Sequence, residues 1–180
     1  MDIVSKKSGV SVATLTDEVG MIRPTKIERT KENDEEKIEK TLIASRFVLN
    51  RILKGEKFVD ISKIKTEWLA NDLHKEVFDW AKTMPEHTDL VNPMFSKFGY
   101  ENDEINKILN VNMKFADTIR EADYFNDCVL MLANEFVSKR LEQVKNGYNE
   151  LSDPEAKRAS IAEISRLQKI LKSKDINDKL

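Results

Sequence analysis

Between Glu121 and Asn146 the chain contains neither glycine nor proline, and apolar residues recur at helical spacing: Phe125, Val129, Leu132, Phe136, then Val137, Leu141, Val144 and Tyr148. An unbroken periodic run of this kind commits its segment to a long helix. Gly147 offers the left-handed position that ends a helix without a Cβ clash. Ser152-Asp153-Pro154-Glu155 starts another helix. Ser152 and Glu155 stand at capping-box spacing, and Pro154 lies in the first turn, where a missing N–H costs nothing. The second helix carries Ile161, Ile164, Leu167 and Leu171 on one stripe and runs to about Ser173. At about 1.5 Å per residue the two arms are roughly 39 and 30 Å long. The expectation is a long C-terminal helical hairpin.

The rest of the chain supports an all-α fold. Five Gly and four Pro in 180 residues mark few turns, and β-branched residues do not alternate over long runs. With 34% charged and 40% apolar residues, the chain has the composition of a charge-rich globular protein, with room for one modest domain and an appendage. A net charge of −2 argues against nucleic-acid binding by bulk electrostatics, because neutralising phosphates needs a basic surface. Cys128, alone, permits neither an internal disulfide nor a thiolate metal site and reads as a small buried residue. No stretch approaches the ~18 apolar residues of a membrane span. Met1-Asp2-Ile3 lacks a signal-peptide pattern, so the expected location is cytoplasmic.

Residues 1–19 form a small unit with short helices on either side of Gly9, too small to build a core alone and therefore read as the remnant of a larger upstream domain. A linker follows at 20–33, with Pro24, a mixed-charge run and only Ile22 and Ile27 to bury; it is expected to be mobile. Periodicity begins near Asp34. A helix over about 35–54 turns Ile38, Leu42, Ile43, Phe47 and Leu53 inward and stops at Gly55. A short piece over Ile61–Leu69 starts at Asp60 or Ser62, and Asn71 caps a helix that ends before Pro85. Shorter helices are expected over about 90–98 and 102–110, with a turn over 112–118 before the long arm. Residues 34–118 thus make a helical bundle and 119–180 the hairpin.

Chemistry is hard to place on this pattern. His74 and His87 have no metal-ligand or nucleophile–base spacing; His74 reads as a surface or capping residue and His87 as loop. No glycine-rich phosphate loop exists, and the acidic clusters lie among lysines or at helix starts, where carboxylates suit the dipole. No catalytic residue and no metal ligand is assigned. Ser8-Gly9-Val10-Ser11 through Leu15 looks like part of a helix-turn-helix, but its second helix is short and ends in Asp17-Glu18, which would repel phosphate. Tyr148, Leu151, Ile170 and Leu171, near the hairpin ends, lack an obvious second layer, and apolar surface left uncovered marks a partner site.

The order of these pieces is similar to a known family. The helix with Glu39-Lys40-Thr41-Leu42-Ile43-Ala44, Trp68 ahead of the capped Asn71-Asp72-Leu73-His74 helix, and Tyr124-Phe125-Asn126-Asp127-Cys128 leading into a hairpin that ends at Glu163–Lys172 resemble the C-terminal region of bacterial replicative DNA primases of the DnaG type. The resemblance covers almost the whole chain and rests on helical patterns in sequence, not on catalytic signatures. It implies that residues 1–19 close an RNA-polymerase core and that the hairpin docks on the N-terminal collar domain of the replicative helicase. For such helix-on-helix docking the expected anchors are Tyr148 and Leu151 at the tip and Ile164, Leu167 and Leu171 on the second arm, with Lys139, Arg140, Lys145, Arg158 and Arg166 at the rim. The parent enzyme of that family makes RNA primers with zinc and magnesium; the family's zinc cysteines and catalytic carboxylates have no counterpart here, so no cofactor is expected for this chain, nor membrane binding. Two other readings stand beside it: the N-terminal oligomerisation domain of a replicative helicase, which has the same plan, and a helix-turn-helix regulator using residues 5–19.

Overall fold

The structure, a computed structural model, describes the backbone of residues 26–179 and the side chains from Glu35 onward. The readings made for residues 1–25, including the helix-turn-helix segment, lie outside the described residues. The chain divides into two units, 1–38 and 39–180. Six α-helices are described: α1 (Lys26–Leu53), α2 (Asp72–Ala81), α3 (Val91–Phe98), α4 (Asp103–Leu109), α5 (Thr118–Tyr148) and α6 (Pro154–Lys172), with single 3₁₀ turns at Ile61–Lys63, Thr66–Trp68 and Ile176–Asp178. No strand occurs among the described residues.

In the second unit α1 is the central element. Ala44, Phe47, Val48, Leu49, Ile52 and Leu53 are all buried, together with the polar Ser45, Asn50 and Arg51. Burial at consecutive positions means that neighbours surround this helix on every side. The neighbours are Val77 and Phe78 from α2, Met94 from α3, Ile105 and Ile108 from α4, and Phe125, Val129 and Leu132 from α5, which form one cluster with it. Each such side chain stabilises the fold by roughly 1.5–3 kcal/mol relative to exposure. Phe47 meets Tyr124 edge-on at 4.9 Å between ring centres, fixing α5 against α1.

Local chemistry sets the helix ends. Asn71 Oδ1 accepts from His74 N at 2.8 Å, Asn102 Oδ1 from Glu104 N at 3.0 Å, and Asp117 Oδ1 from Arg120 N at 2.8 Å. Asn50, fully buried in α1, donates through Nδ2 to the carbonyls of Ile108 at 2.8 Å and Leu109 at 3.0 Å. Those are among the carbonyls that the end of α4 leaves without helical partners. Gly55 closes α1 at φ +67°. A Cβ there would stand 2.7 Å from backbone atoms of His87 and Thr88, so only glycine lets the 86–88 loop cross so closely.

Several expectations need correction. Helix α1 begins at Lys26, so residues 26–33, read as linker, are helical, and Asp34-Glu35-Glu36 lie within the helix. Ile38 and Ile43 do not face inward: they are 64% and 43% exposed, because polar Thr41, Ser45, Asn50 and Arg51 share the inner surface. The short 61–69 piece consists of two 3₁₀ turns, the first capped by Asp60 as expected. Gly147 sits inside α5, which runs on through Tyr148. Asp153, not Ser152, caps α6, accepting from Glu155 N and Ala156 N. The first half of α5 belongs to the bundle core, so no core boundary falls at 118/119.

Candidate protein-docking surface

The distal half of the hairpin has a small core of its own. Val137 and Leu141 of α5 and Leu167 of α6 are its buried members, flanked by partly buried Phe136, Val144, Ile164, Ile170 and Leu171. The far turn is held by Glu150 N to Gly147 O at 3.1 Å and Leu151 N to Tyr148 O at 3.3 Å. The end of α6 is tied down by Lys179, whose Nζ donates to the carbonyls of Ile170 and Ser173, both at 2.7 Å. A cation on the last carbonyls of a helix complements its dipole. Burial lowers the pKa of this amine.

The expected anchors separate into two groups. Leu167 has no exposed surface, and its side chain holds the two arms together, so it has no face to offer a partner. Ile164 and Leu171 pack against the same cluster and keep part of their surface free. Tyr148 and Leu151 are half-buried at the turn and pack into neither cluster. Lys145 is exposed beside them. Arg166 is exposed and pairs with Glu163 at 3.2 Å on its own helix. Ile161, expected on the inner stripe of α6, is 51% exposed.

A second feature escaped the sequence. A groove of about 710 Å³ runs between the 65–75 segment and the hairpin; Lys65, Lys75, Lys139, Arg140, Trp68 and Phe136 are among its lining residues, with Glu67 and Glu163. Trp68 was legible as core, but its pairing with a face of α5 was not, since these elements are far apart in sequence. A shallower apolar groove of about 250 Å³ lies between α1 and α5, with Ile43, Tyr124 and Met131 in its lining.

His74 also departs from expectation. It is fully buried, with Nδ1 2.7 Å from Ser45 Oγ and Nε2 2.9 Å from Glu104 Oε1. Glu104 in turn takes both Arg46 Nε and Nη2, at 2.6 and 2.7 Å. Arg46 holds the Glu104 carboxyl down at about 2, and burial lowers the pKa of His74. The neutral ring with Nε2–H donating to Glu104 leaves Nδ1 to accept from the Ser45 hydroxyl, and Ser45 Oγ accepts from Ala70 N at 3.3 Å. Serine, histidine and carboxylate stand in hydrogen-bonding order, as in a hydrolase, yet Ser45 is sealed within α1 and no substrate can reach it. The network fastens α1, α2 and α4 to one another.

Cys128 is buried, and burial pushes its thiol up to about 11, which makes a reactive thiolate unavailable at neutral pH. Among the described residues no cluster of three or more His, Cys, Asp or Glu side chains could hold a metal, and no helix is long and apolar enough to cross a membrane. In comparisons with family models, curated proteins and solved structures, nothing matches this chain.

Proposed function

We propose that this chain is the C-terminal, helicase-binding region of a bacterial DNA primase, and that it recruits primer synthesis to the replication fork through its hairpin. The observation that carries the reading is the hairpin turn. Tyr148 and Leu151 leave apolar surface there that neither cluster covers, next to the exposed cation Lys145. Apolar anchors supply most of the affinity at such contacts, and rim charges tune rate and salt dependence. The order of elements, bundle first and hairpin last, agrees with the family resemblance. In this reading the parent enzyme makes the RNA primers, and the residues described here bind the collar of the helicase ring without doing chemistry.

The test is co-purification with the replicative helicase of the same cell, before and after Tyr148→Ala and Leu151→Ala. Removing residues 120–180 would be a poor control, because Phe125, Val129 and Leu132 go with them and the bundle core opens. Sedimentation of the chain alone separates the rival helicase-domain reading: a monomer agrees with a primase tail, whereas dimers or rings agree with an oligomerisation domain.

A further inference from the structure

The groove between the 65–75 segment and the hairpin combines three properties. Its lining brings four cations, Lys65, Lys75, Lys139 and Arg140, to one place against two carboxylates, Glu67 and Glu163. Lys75 and Lys139 have partners on their own helices, Asp72 at 2.9 Å and Glu135 at 3.7 Å, but no carboxylate pairs with Lys65 or Arg140 among the described residues. Phe136 and Leu69 add apolar wall. The indole of Trp68, only 3% exposed, belongs to the same wall, with its Nε1 sealed from solvent.

We infer that this groove receives an acidic amphipathic helix of the partner protein, whose carboxylates meet Lys65, Lys75, Lys139 and Arg140 and whose apolar face packs on Phe136 and Leu69. The partner's identity rests on the recruitment reading above; the chemistry of the groove does not. A helix with an apolar face and acidic flanks matches the Phe136 and Leu69 wall as well as the cations. A nucleic-acid strand fits less well, because Glu67 and Glu163 would face its phosphates. The groove lies on both the hairpin and the bundle, so an occupant would clamp the two.

Calorimetric titration of the full chain with intact replicative helicase tests this, at low and high salt. The expected result is binding that weakens about tenfold or more in Lys139→Glu/Arg140→Glu and loses salt dependence with it. Gln143→Glu, which adds a carboxylate to the same lining at an exposed position, should weaken binding several-fold while leaving stability to urea unchanged. Lys107→Glu, on the exposed side of α4, should change nothing. Unchanged affinity in the double variant and in Gln143→Glu would overturn the groove assignment and leave recruitment standing; absence of any binding by the unaltered chain would overturn both. Displacement of the helicase by a single-stranded oligonucleotide, lost on Arg140→Glu, would overturn the helix in favour of nucleic acid.

Discussion

Nε2 of His74 lies 2.9 Å from Oε1 of Glu104, thirty residues later in the chain, and the imidazole has no exposed surface. The pair closes a polar seam between α2 and α4 that Arg46 and Ser45 complete from α1. Both ionisable members are tuned in one direction. The His74 pKa lies below its ordinary 6.5 through burial, and Arg46 holds Glu104 at about 2 instead of 4.5.

Acid should therefore weaken the fold in two stages. As pH falls below 6.5, unfolded chains protonate histidine while the folded seam resists, so stability declines with pH. Below 4.5 the unfolded state takes up a proton that folded Glu104 refuses until about 2, and a second decline follows. Urea midpoints measured from pH 8 to 3 should hold above about pH 7 and fall through both windows below it, and His74→Gln should flatten the upper decline. A midpoint that is constant over that interval would rule out the seam as the source of acid sensitivity.

Two glycines should respond in opposite directions. Gly55→Ala places a Cβ 2.7 Å from the backbone of His87 and Thr88 at φ +67°, and should cost more than about 2 kcal/mol. Gly147 is helical, and an added Cβ meets nothing within 4 Å. Gly147→Ala should stabilise by about 0.4–1 kcal/mol, chiefly by restricting the unfolded chain. Thermal and urea unfolding of both variants provide the comparison.

Leu167→Ala should loosen the hairpin without opening the bundle. The distal cluster has three fully or nearly buried members, and losing one of them costs about 2–5 kcal/mol locally. Amide exchange should quicken across α6 and the second half of α5 and stay slow in α1 and α4. Uniform acceleration would show that the hairpin and bundle unfold together.

Cys128 should react with a disulfide reagent only when the fold opens, since burial keeps its thiol protonated with a pKa of about 11. The labelling rate in native buffer should rise with urea in step with unfolding. Rapid labelling of native protein would mean that α5 does not hold this face closed.

Helix content and most helix ends were legible because they depend on nearest neighbours. Asn71, Asn102 and Pro154 mark the starts of α2, α4 and α6, and Gly55 marks the end of α1. The inward face of α1 was not legible, because that helix is surrounded and buries Ser45, Asn50 and Arg51 alongside its apolar residues. Apolar periodicity treats such polar residues as outward-facing. His74 was misjudged for a related reason: its cap at Asn71 is local, whereas Ser45 and Glu104 lie 29 and 30 residues away. Ile38 and Leu167 show the same limit from opposite sides, one periodic and exposed, the other a proposed contact that the partner arm already covers. The groove beside Trp68 needs the 65–75 segment and α5 in register, and no short-range pattern encodes that.

The most direct test of the recruitment reading is calorimetric titration of the replicative helicase with this chain and with Tyr148→Ala/Leu151→Ala. Recruitment through the hairpin turn predicts a complex that weakens by about 1–3 kcal/mol per lost anchor while helicity is retained. No heat of binding with the unaltered chain, or equal affinity in the variant, would contradict it.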